Sequence, residues 1–274
     1  MDLSVIIVNY HSAQYALHAV SSVLGQDVES ERGGRSPLEI VVIDNGSSAE
    51  DAALLDGLPQ SVRLIRNATN VGFAAAANQG IREARGRLIC LLNPDTHLFP
   101  GALQRLVEHV GRHPGVAAAG PKAWWDEERT FLLPLVRCPT PASMIVESLA
   151  GLSYRVGRAL CRSWHHRDLA LWRSTEPRPI DMLCGACLVI RREALDRVGW
   201  FDPAYRLYYE DADWCRRARR RGYRLAYVPA AEIVHYYNQS AQSVAEQRLE
   251  WMVRSRRYYL ERQFGRLRAA LCER

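Results

Sequence analysis

The feature that most constrains this chain is an alternation running through its first 120 residues. Short apolar, β-rich runs at 3–8, 39–43, 62–65 and 88–92 are separated by segments that suit helices, 13–24 and 73–85 among them. Strands spaced by helical segments predict an α/β fold, a mostly parallel sheet with crossover helices on its faces. With 274 residues the chain can bury a large core, in one domain or two. Open sheets of this kind bind ligands beyond the carboxyl ends of their strands. At those ends stand Val8-Asn9-Tyr10, Asp44-Asn45-Gly46-Ser47, Arg66-Asn67 and Asn93-Pro94-Asp95, so polar, turn-prone groups converge on one rim.

Two common phosphate cradles are missing. No G-x-G-x-x-G follows the first strand, and no G-x-x-x-x-G-K-[ST] occurs. A diphosphate on this rim needs another source of positive charge. A hard divalent cation, Mg2+ or Mn2+, supplies it through carboxylate, water and phosphate ligands. Asp95 is the candidate first ligand: Pro94 fixes its own φ and holds Asn93 extended, which aims the acid out of the sheet rim. The same residues also make a plain turn. Asp44 has two readings as well, a βα turn with Ser47 or Ser48 capping the next helix, or an acceptor for a ribose hydroxyl or base N–H.

Further along, YYEDADWCRR places Glu210, Asp211 and Asp213 at a helix start, where the dipole favours acids. Asp211 stands beside Tyr208, Tyr209 and Trp214, an aromatic setting that raises a carboxyl's basicity and suits a general base. His235 ends another short strand; it is either a core histidine or a nitrogen donor to a metal.

Composition narrows the setting. The N-terminus has no basic leader and no run approaches the ~18 apolar residues of a membrane span, which leads to the expectation of a cytoplasmic protein without a signal peptide. Seven scattered cysteines fit reduced thiols, and Cys184-Gly-Ala-Cys187, lacking a second pair, reads as two buried or semi-buried thiols. The net charge of +6 is uneven: residues 216–274 hold fourteen Arg against five Glu, leaving −3 for the first 215. That basic third predicts an anionic partner surface, and no nucleic-acid module accompanies it. From about 244 to 264 the chain reads as a helix carrying Trp251, Met252, Tyr258 and Tyr259 among Arg254, Arg256, Arg257 and Arg262. Such a helix is a solvated face, a membrane-interface helix or a contact for a second copy of the chain.

The stretches VIIVNYHS (5–12), VVIDNGSS (41–48), RNATNVGFAAAANQGI (66–81), LLNPDT (91–96), GACLVIRREALDRVGWFD (185–202) and YYEDADWCRR (208–217), followed by the His235 segment, together resemble one family. In this order they are similar to the family 2 glycosyltransferases with a GT-A fold, specifically the bacterial rhamnosyltransferase-like branch. The likeness spans nearly all of the first 240 residues except 122–180. It implies a catalytic domain over 1–240, with 122–180 as an insertion or lid on the acceptor side, and a basic aromatic C-terminal helix over 241–274.

The resemblance also implies roles. Asp44 would contact the nucleobase and ribose; Val8, Asn9 and Arg66 would frame the nucleotide; Asn70, Gly72 and Asn78 would line the donor side. Asp95 matches the last acid of the family's D-x-D motif, a metal ligand touching the diphosphate, and Asn93 replaces the first. Asp211 matches the general base, His235 a metal ligand of some relatives, and Gly185 and Glu210 the acceptor side. The implied activity is an inverting, metal-dependent hexosyl transfer from a nucleoside-diphosphate sugar, dTDP-rhamnose foremost, to a glycan or polyprenyl-linked acceptor. Peripheral attachment to the inner leaflet of the cytoplasmic membrane follows from the same likeness. The alternative is a catalytically inactive nucleotide-sugar-binding or scaffold protein of a polysaccharide assembly complex.

Overall fold

The apolar runs at 3–8, 39–43 and 88–92 become strands buried on both faces, which is why they read as continuous, whereas the run at 62–65 becomes a part-exposed edge strand. In the computed structural model, which describes residues 2–28, 38–152, 159, 161–236 and 245–271, the chain begins with β1 (Leu3–Asn9), α1 (Ala13–Leu24), β2 (Leu38–Asp44), α2 (Ala49–Leu54), β3 (Val62–Arg66), α3 (Phe73–Glu83) and β4 (Leu88–Leu92). Ile6 and Val8 of β1 point to one face, against Ala74, Ala77 and Ile81 of α3. Leu3, Val5 and Ile7 point to the other, against Ala16, Ala19 and Val23 of α1. The period-two alternation of a strand thus sorts one apolar run into two cores. The alanines of both helices let them sit close to the sheet.

Beyond β4 the sheet becomes mixed. There follow β5 (Thr96–Leu98), α4 (Ala102–Arg112), β6 (Val116–Trp124), α5 (Pro141–Leu152), α6 (Arg162–Trp172), β7 (Arg178–Ile180), β8 (Cys187–Arg191) and α7 (Arg192–Val198). The chain closes with α8 (Glu210–Arg220), β9 (Arg224–His235), α9 (Ala245–Phe264) and α10 (Arg266–Leu271). Strand order is β3-β2-β1-β4-β8-β6-β9-β5, with β7 also paired to β9. The pairs β3-β2-β1-β4 are parallel, whereas β8 runs antiparallel to β4 and β5 antiparallel to β9. This is the GT-A-like architecture expected, a mixed, mostly parallel, curled sheet flanked by helices.

The segment 122–180, without period in the sequence, holds the end of β6, then α5, α6 and β7. Met144 and Leu171 anchor it in the main core cluster. The six described cysteines are unbonded; Cys187 is buried on β8, while Cys184, expected to be at least half-buried, is exposed.

Helix α9 packs its C-terminal aromatic side into the core. Tyr259 and Leu260 are fully buried and join the main core, and Tyr258 is half-buried. Two turns earlier Trp251 lies 4.9 Å from the Arg206 guanidinium in a cation–π contact. The exposed apolar side chains of α9 are instead Leu249, Met252 and Val253. The physical reason is that α8 needs a cover. Asp213 of α8 is fully buried and accepts from Arg217 Nε and Gln263 Nε2, each at 2.6 Å, with Arg262 Nε at 3.7 Å. Asp202 accepts from Tyr258 Oη at 2.9 Å and pairs with Arg262. Asp213→Asn keeps the shape but removes the charge that two donors need. Hydrogen bonds to charged groups contribute about 1.5–3 kcal/mol. We expect a loss of about 2 kcal/mol, read as a lowered unfolding midpoint; an unchanged midpoint would show that α9 is not held through this residue.

No helix among the described residues is long and apolar enough to cross a membrane.

Candidate active site

Strand β4 delivers Asn93-Pro94-Asp95 to the rim, and the chain does not stop there. It continues into β5, which pairs antiparallel with the end of β9 so that Thr96 stands opposite His235. That register, extended by the Tyr236 N–H donating to Asp95 O at 3.0 Å, brings His235 against Asp95. The Asp95 carboxyl is 1% exposed and its Oδ1 lies 3.4 Å from His235 Nε2.

Asp211 reaches the same place from α8. Tyr208 and Tyr209, just before the helix, both adopt left-handed backbone at φ 67°, a conformation that is costly for bulky residues. The Tyr209 carbonyl accepts the Asp213 N–H at 2.9 Å, so the strained turn launches the helix. The loop before β8 meets it there: the Gly185 N–H donates to Asp211 Oδ2 at 3.0 Å, and the Ala212 N–H donates to Oδ1 at 2.7 Å. A cavity of about 330 Å³ lies between these elements, and Asn93, Asp95, Gly185, Glu210, Asp211 and His235 all line it. Val136, Arg137 and Pro139 of the 122–180 segment form part of its wall.

Burial raises the Asp211 carboxyl above its ordinary value, against the opposing pull of its backbone N–H donors. Glu210 is pushed up further, by burial first and by the Asp211 charge second. Two buried neighbouring acids do not ionise together readily, so ionisation of Asp211 works against ionisation of Glu210. A folded-state carboxyl raised above its unfolded value favours folding fully below the unfolded value and loses that contribution as pH rises through the folded one. Glu210→Gln removes the ionisation penalty. We expect it to raise the unfolding midpoint relative to the parent at pH 8 and much less at pH 4; equal shifts at both would contradict this.

A narrower recess of about 100 Å³ adjoins the cavity, sharing Phe73, Asn93 and Leu207 with it. Val8, Asn45, Asn70, Arg206 and Trp251 face it. Asn70 Oδ1 accepts from Gly72 N–H at 2.8 Å and Asn45 Nδ2 at 3.2 Å, which sets the loop. Gly72 has φ 90°, and a Cβ there would stand 3.2 Å from the Arg206 backbone, so the glycine admits the neighbouring loop. Arg206 and Trp251 carried no signal of this placement in the sequence. Leu207, Tyr208 and Tyr209 were detectable only as neighbours of the acidic pair.

Some expected donor-site residues are engaged elsewhere. Asn9 is fully buried: its Nδ2 donates to Ser47 Oγ at 3.1 Å and Asp51 Oδ2 at 3.0 Å, and its Oδ1 accepts from Ser12. It braces the two loops. Arg66 pairs with Asp56 at 2.6 Å on the exterior. Asn78 bonds the Phe201 backbone with both ends of its amide, at 2.7 and 3.2 Å, tying α3 to the loop after α7. Neither lines the cavities described here. Asp44 is 3% exposed and accepts from Ser47 N–H at 3.3 Å and Asn9 Nδ2 at 3.5 Å, while the adjacent Asn45 faces the recess. Ser48 caps α2, accepting from Asp51 N–H.

For a divalent cation, the Asp95–His235 pair fits in part. A carboxylate oxygen and an imidazole nitrogen at this separation can both reach one ion at ordinary bond lengths. Among the described residues no cluster of three or more His, Cys, Asp or Glu gathers around an ion position. Substrate oxygens and water would complete the shell, the arrangement Mg2+ sites commonly use.

Comparison with known proteins agrees with this geometry. The N-acetylglucosaminyl-diphospho-decaprenol L-rhamnosyltransferase of Mycobacterium tuberculosis is 29% identical over 226 residues, 73% of this chain and 67% of that protein. The rhamnosyltransferase WbbL of Escherichia coli is 35% identical over 83 residues, 30% of this chain and 31% of that protein. The mannosyltransferase PcManGT from Pyrobaculum calidifontis, solved with GDP-Man and Mn2+, superposes with a TM-score of 0.60 at 16% identity, over 99% of this chain and 72% of that one, and so shares its fold. The family model for glycosyl transferase family 2 matches residues 4–199, from β1 to the end of α7. The chain therefore belongs to glycosyl transferase family 2, in its rhamnosyltransferase-like branch.

Proposed function

We propose that this protein is an inverting, metal-dependent glycosyltransferase that moves a hexose, rhamnose from dTDP-rhamnose foremost, onto a hydroxyl of a glycan or lipid-linked acceptor. The observation that carries the reading is that Asp95, Asp211 and His235, from three distant segments, line one cavity. The donor nucleotide occupies the recess beside it, with Asn45 and Asn70 at its wall and Arg206 offering a guanidinium to the phosphates; Asp44, next to Asn45, lies toward the base and ribose, and Gly72 shapes the loop behind Asn70. The sugar lies toward Asn93. Asp95 and His235 would hold the cation, which supplies Lewis-acid neutralisation of charge on the departing nucleoside diphosphate.

Asp211 takes the proton of the acceptor hydroxyl as that oxygen bonds to the anomeric carbon and the bond to the phosphate oxygen breaks. Attack from the face opposite the leaving group inverts the centre. The raised basicity of Asp211 suits this task, and Gly185 holds its carboxylate in place. The segment 122–180 forms the acceptor side. The arginine-rich C-terminal region and the exposed Leu249, Met252 and Val253 support peripheral attachment to an anionic leaflet. The M. tuberculosis relative's name, which specifies a diphospho-decaprenol acceptor, supports a lipid-linked substrate here.

The test is a thermal-shift series with dTDP, UDP, GDP and their sugars, with and without Mn2+. A ligand that binds only the folded chain raises its unfolding midpoint. We expect a rise with a nucleoside diphosphate that is larger in Mn2+. No response to any nucleotide would end the transferase reading, and nucleotide binding without transfer to any glycan would favour the inactive, sugar-nucleotide-holding alternative.

A further inference from the structure

We propose that a second, apolar cavity beside the catalytic one receives the hydrocarbon portion of the acceptor, an isoprenoid or alkyl chain. This rests on the reading of the neighbouring cavity as the site of glycosyl transfer. The second cavity is also about 330 Å³ and shares Val136, Met182, Cys184, Ala186 and His235 with the first, so the two stand side by side across a common wall. Its remaining wall is nearly all hydrocarbon, with Leu133, Leu135, Ile180, Leu183 and Ile233 prominent.

That wall selects its occupant by chemistry. A sugar placed there would leave hydroxyls without partners, which is costly away from water. A methylene or isoprene chain gains by the same transfer. At ~30 Å³ per water-sized group, the volume takes roughly ten carbons, about two isoprene units. Besides His235 and the Trp125 indole, the wall holds a tyrosine hydroxyl: Tyr227 is 1% exposed, and its hydroxyl has no hydrogen-bond partner among the described residues. A buried donor in a hydrocarbon wall suits an amphiphile, whose linking oxygen accepts while its chain fills the rest.

The cavity also has an outlet of the same character. Trp125 lines both it and a shallow hollow formed with Phe131, Leu132 and Trp172. Trp125 is 42% and Phe131 66% exposed, an apolar rim with no evident role in the core. Hydrocarbon surface therefore runs from the catalytic cavity to the exterior, and a chain longer than the cavity can leave along it.

Calorimetric titration of the full chain with n-decyl β-glucoside and with methyl β-glucoside, both below the micelle-forming range, reads this cavity without any donor. The neutral head keeps the probe off the cation site. We expect the decyl compound to bind at least tenfold more tightly. Ala123→Phe, which fills the cavity from β6 at a residue outside the catalytic cavity, should erase that preference without changing the unfolding midpoint. Leu135→Glu should also erase the preference by placing a charge in the wall, with a lowered unfolding midpoint because Leu135 packs against the main core.

Equal binding of the two glucosides by the parent, or decyl binding unchanged in a folded Ala123→Phe chain, overturns the proposal; the first comparison decides even if both variants misfold. Nucleotide stabilisation with Mn2+ separates the two readings. Nucleotide binding without a chain-length preference leaves the transferase and removes the lipid cavity. A chain-length preference without nucleotide binding keeps the cavity and removes the transferase.

Discussion

Asp211→Asn is expected to lower sugar transfer by about 10²–10⁴-fold, the usual contribution of a positioned general base. The substitution is close to isosteric. The asparagine carbonyl can still accept from the Gly185 N–H that now sits 3.0 Å from Asp211 Oδ2, while its NH2 group replaces the oxygen that accepts from Ala212 N–H, a lost bond confined to the helix start. What disappears is the ability to take a proton. The loss should therefore fall on kcat, with KM for the donor and Mn2+-dependent nucleotide stabilisation nearly unchanged.

The parent enzyme carries a second signature. Because burial raises the Asp211 carboxyl, the acidic limb of the pH–kcat profile should sit above the ordinary aspartate value of 3.8, with activity rising as pH increases through it. The base form is the active one, so the sign is fixed. An Asn variant within tenfold of the parent, or a limb at the ordinary value, would remove Asp211 from this role.

Asp95→Asn is expected to lower kcat/KM by about 10²–10³-fold at fixed Mn2+, since neutralising charge on a departing phosphate is worth several kcal/mol. It differs from the first variant in what else it changes. Asp95 is buried against His235, and an amide is a poor replacement for a carboxylate toward a hard cation. The thermal shift with nucleoside diphosphate should lose its dependence on Mn2+ while the chain remains folded. A variant that keeps both activity and metal-dependent stabilisation would show that the cation, if used, is held elsewhere. His235→Gln should move in the same direction by less, because a neutral donor contributes less to a hard ion's shell.

Much of the N-terminal half was legible because local pattern and burial coincide there. The runs at β1, β2, β3 and β4 appear within a residue or two of their expected bounds. Strands covered on both faces leave an unbroken apolar signature, and the polar residues that end them mark the rim where ligands bind. Asp95 and Asp211 could be chosen as candidates since each stands at an element boundary next to apolar sequence. The same logic did not foresee the partners of Asn78 and Arg66, the Phe201 backbone and Asp56. A polar residue at the right end of a helix or strand looks equally available whether it faces an open recess, as Asn70 does, or a neighbouring backbone, as Asn78 does at Phe201.

Helix α9 shows a different limit. Arginines interleaved with aromatics describe a helix with one apolar face and say nothing of what covers that face. The answer lay in Asp213, Asp202 and the core around Tyr259, all distant in the chain.

Composition and periodicity alone determined the strands, their crossover helices and the rim on which chemistry gathers, because those follow from which residues leave water. The meeting of Asp95 with His235 was decided only by the antiparallel register of β5 on β9, the wall of their cavity by the packing of 122–180 onto the core, and that of the adjoining recess by Trp251 of α9. A residue's hydrophobicity encodes whether it is buried. Its partner depends on closure of long loops, and no local window carries that information.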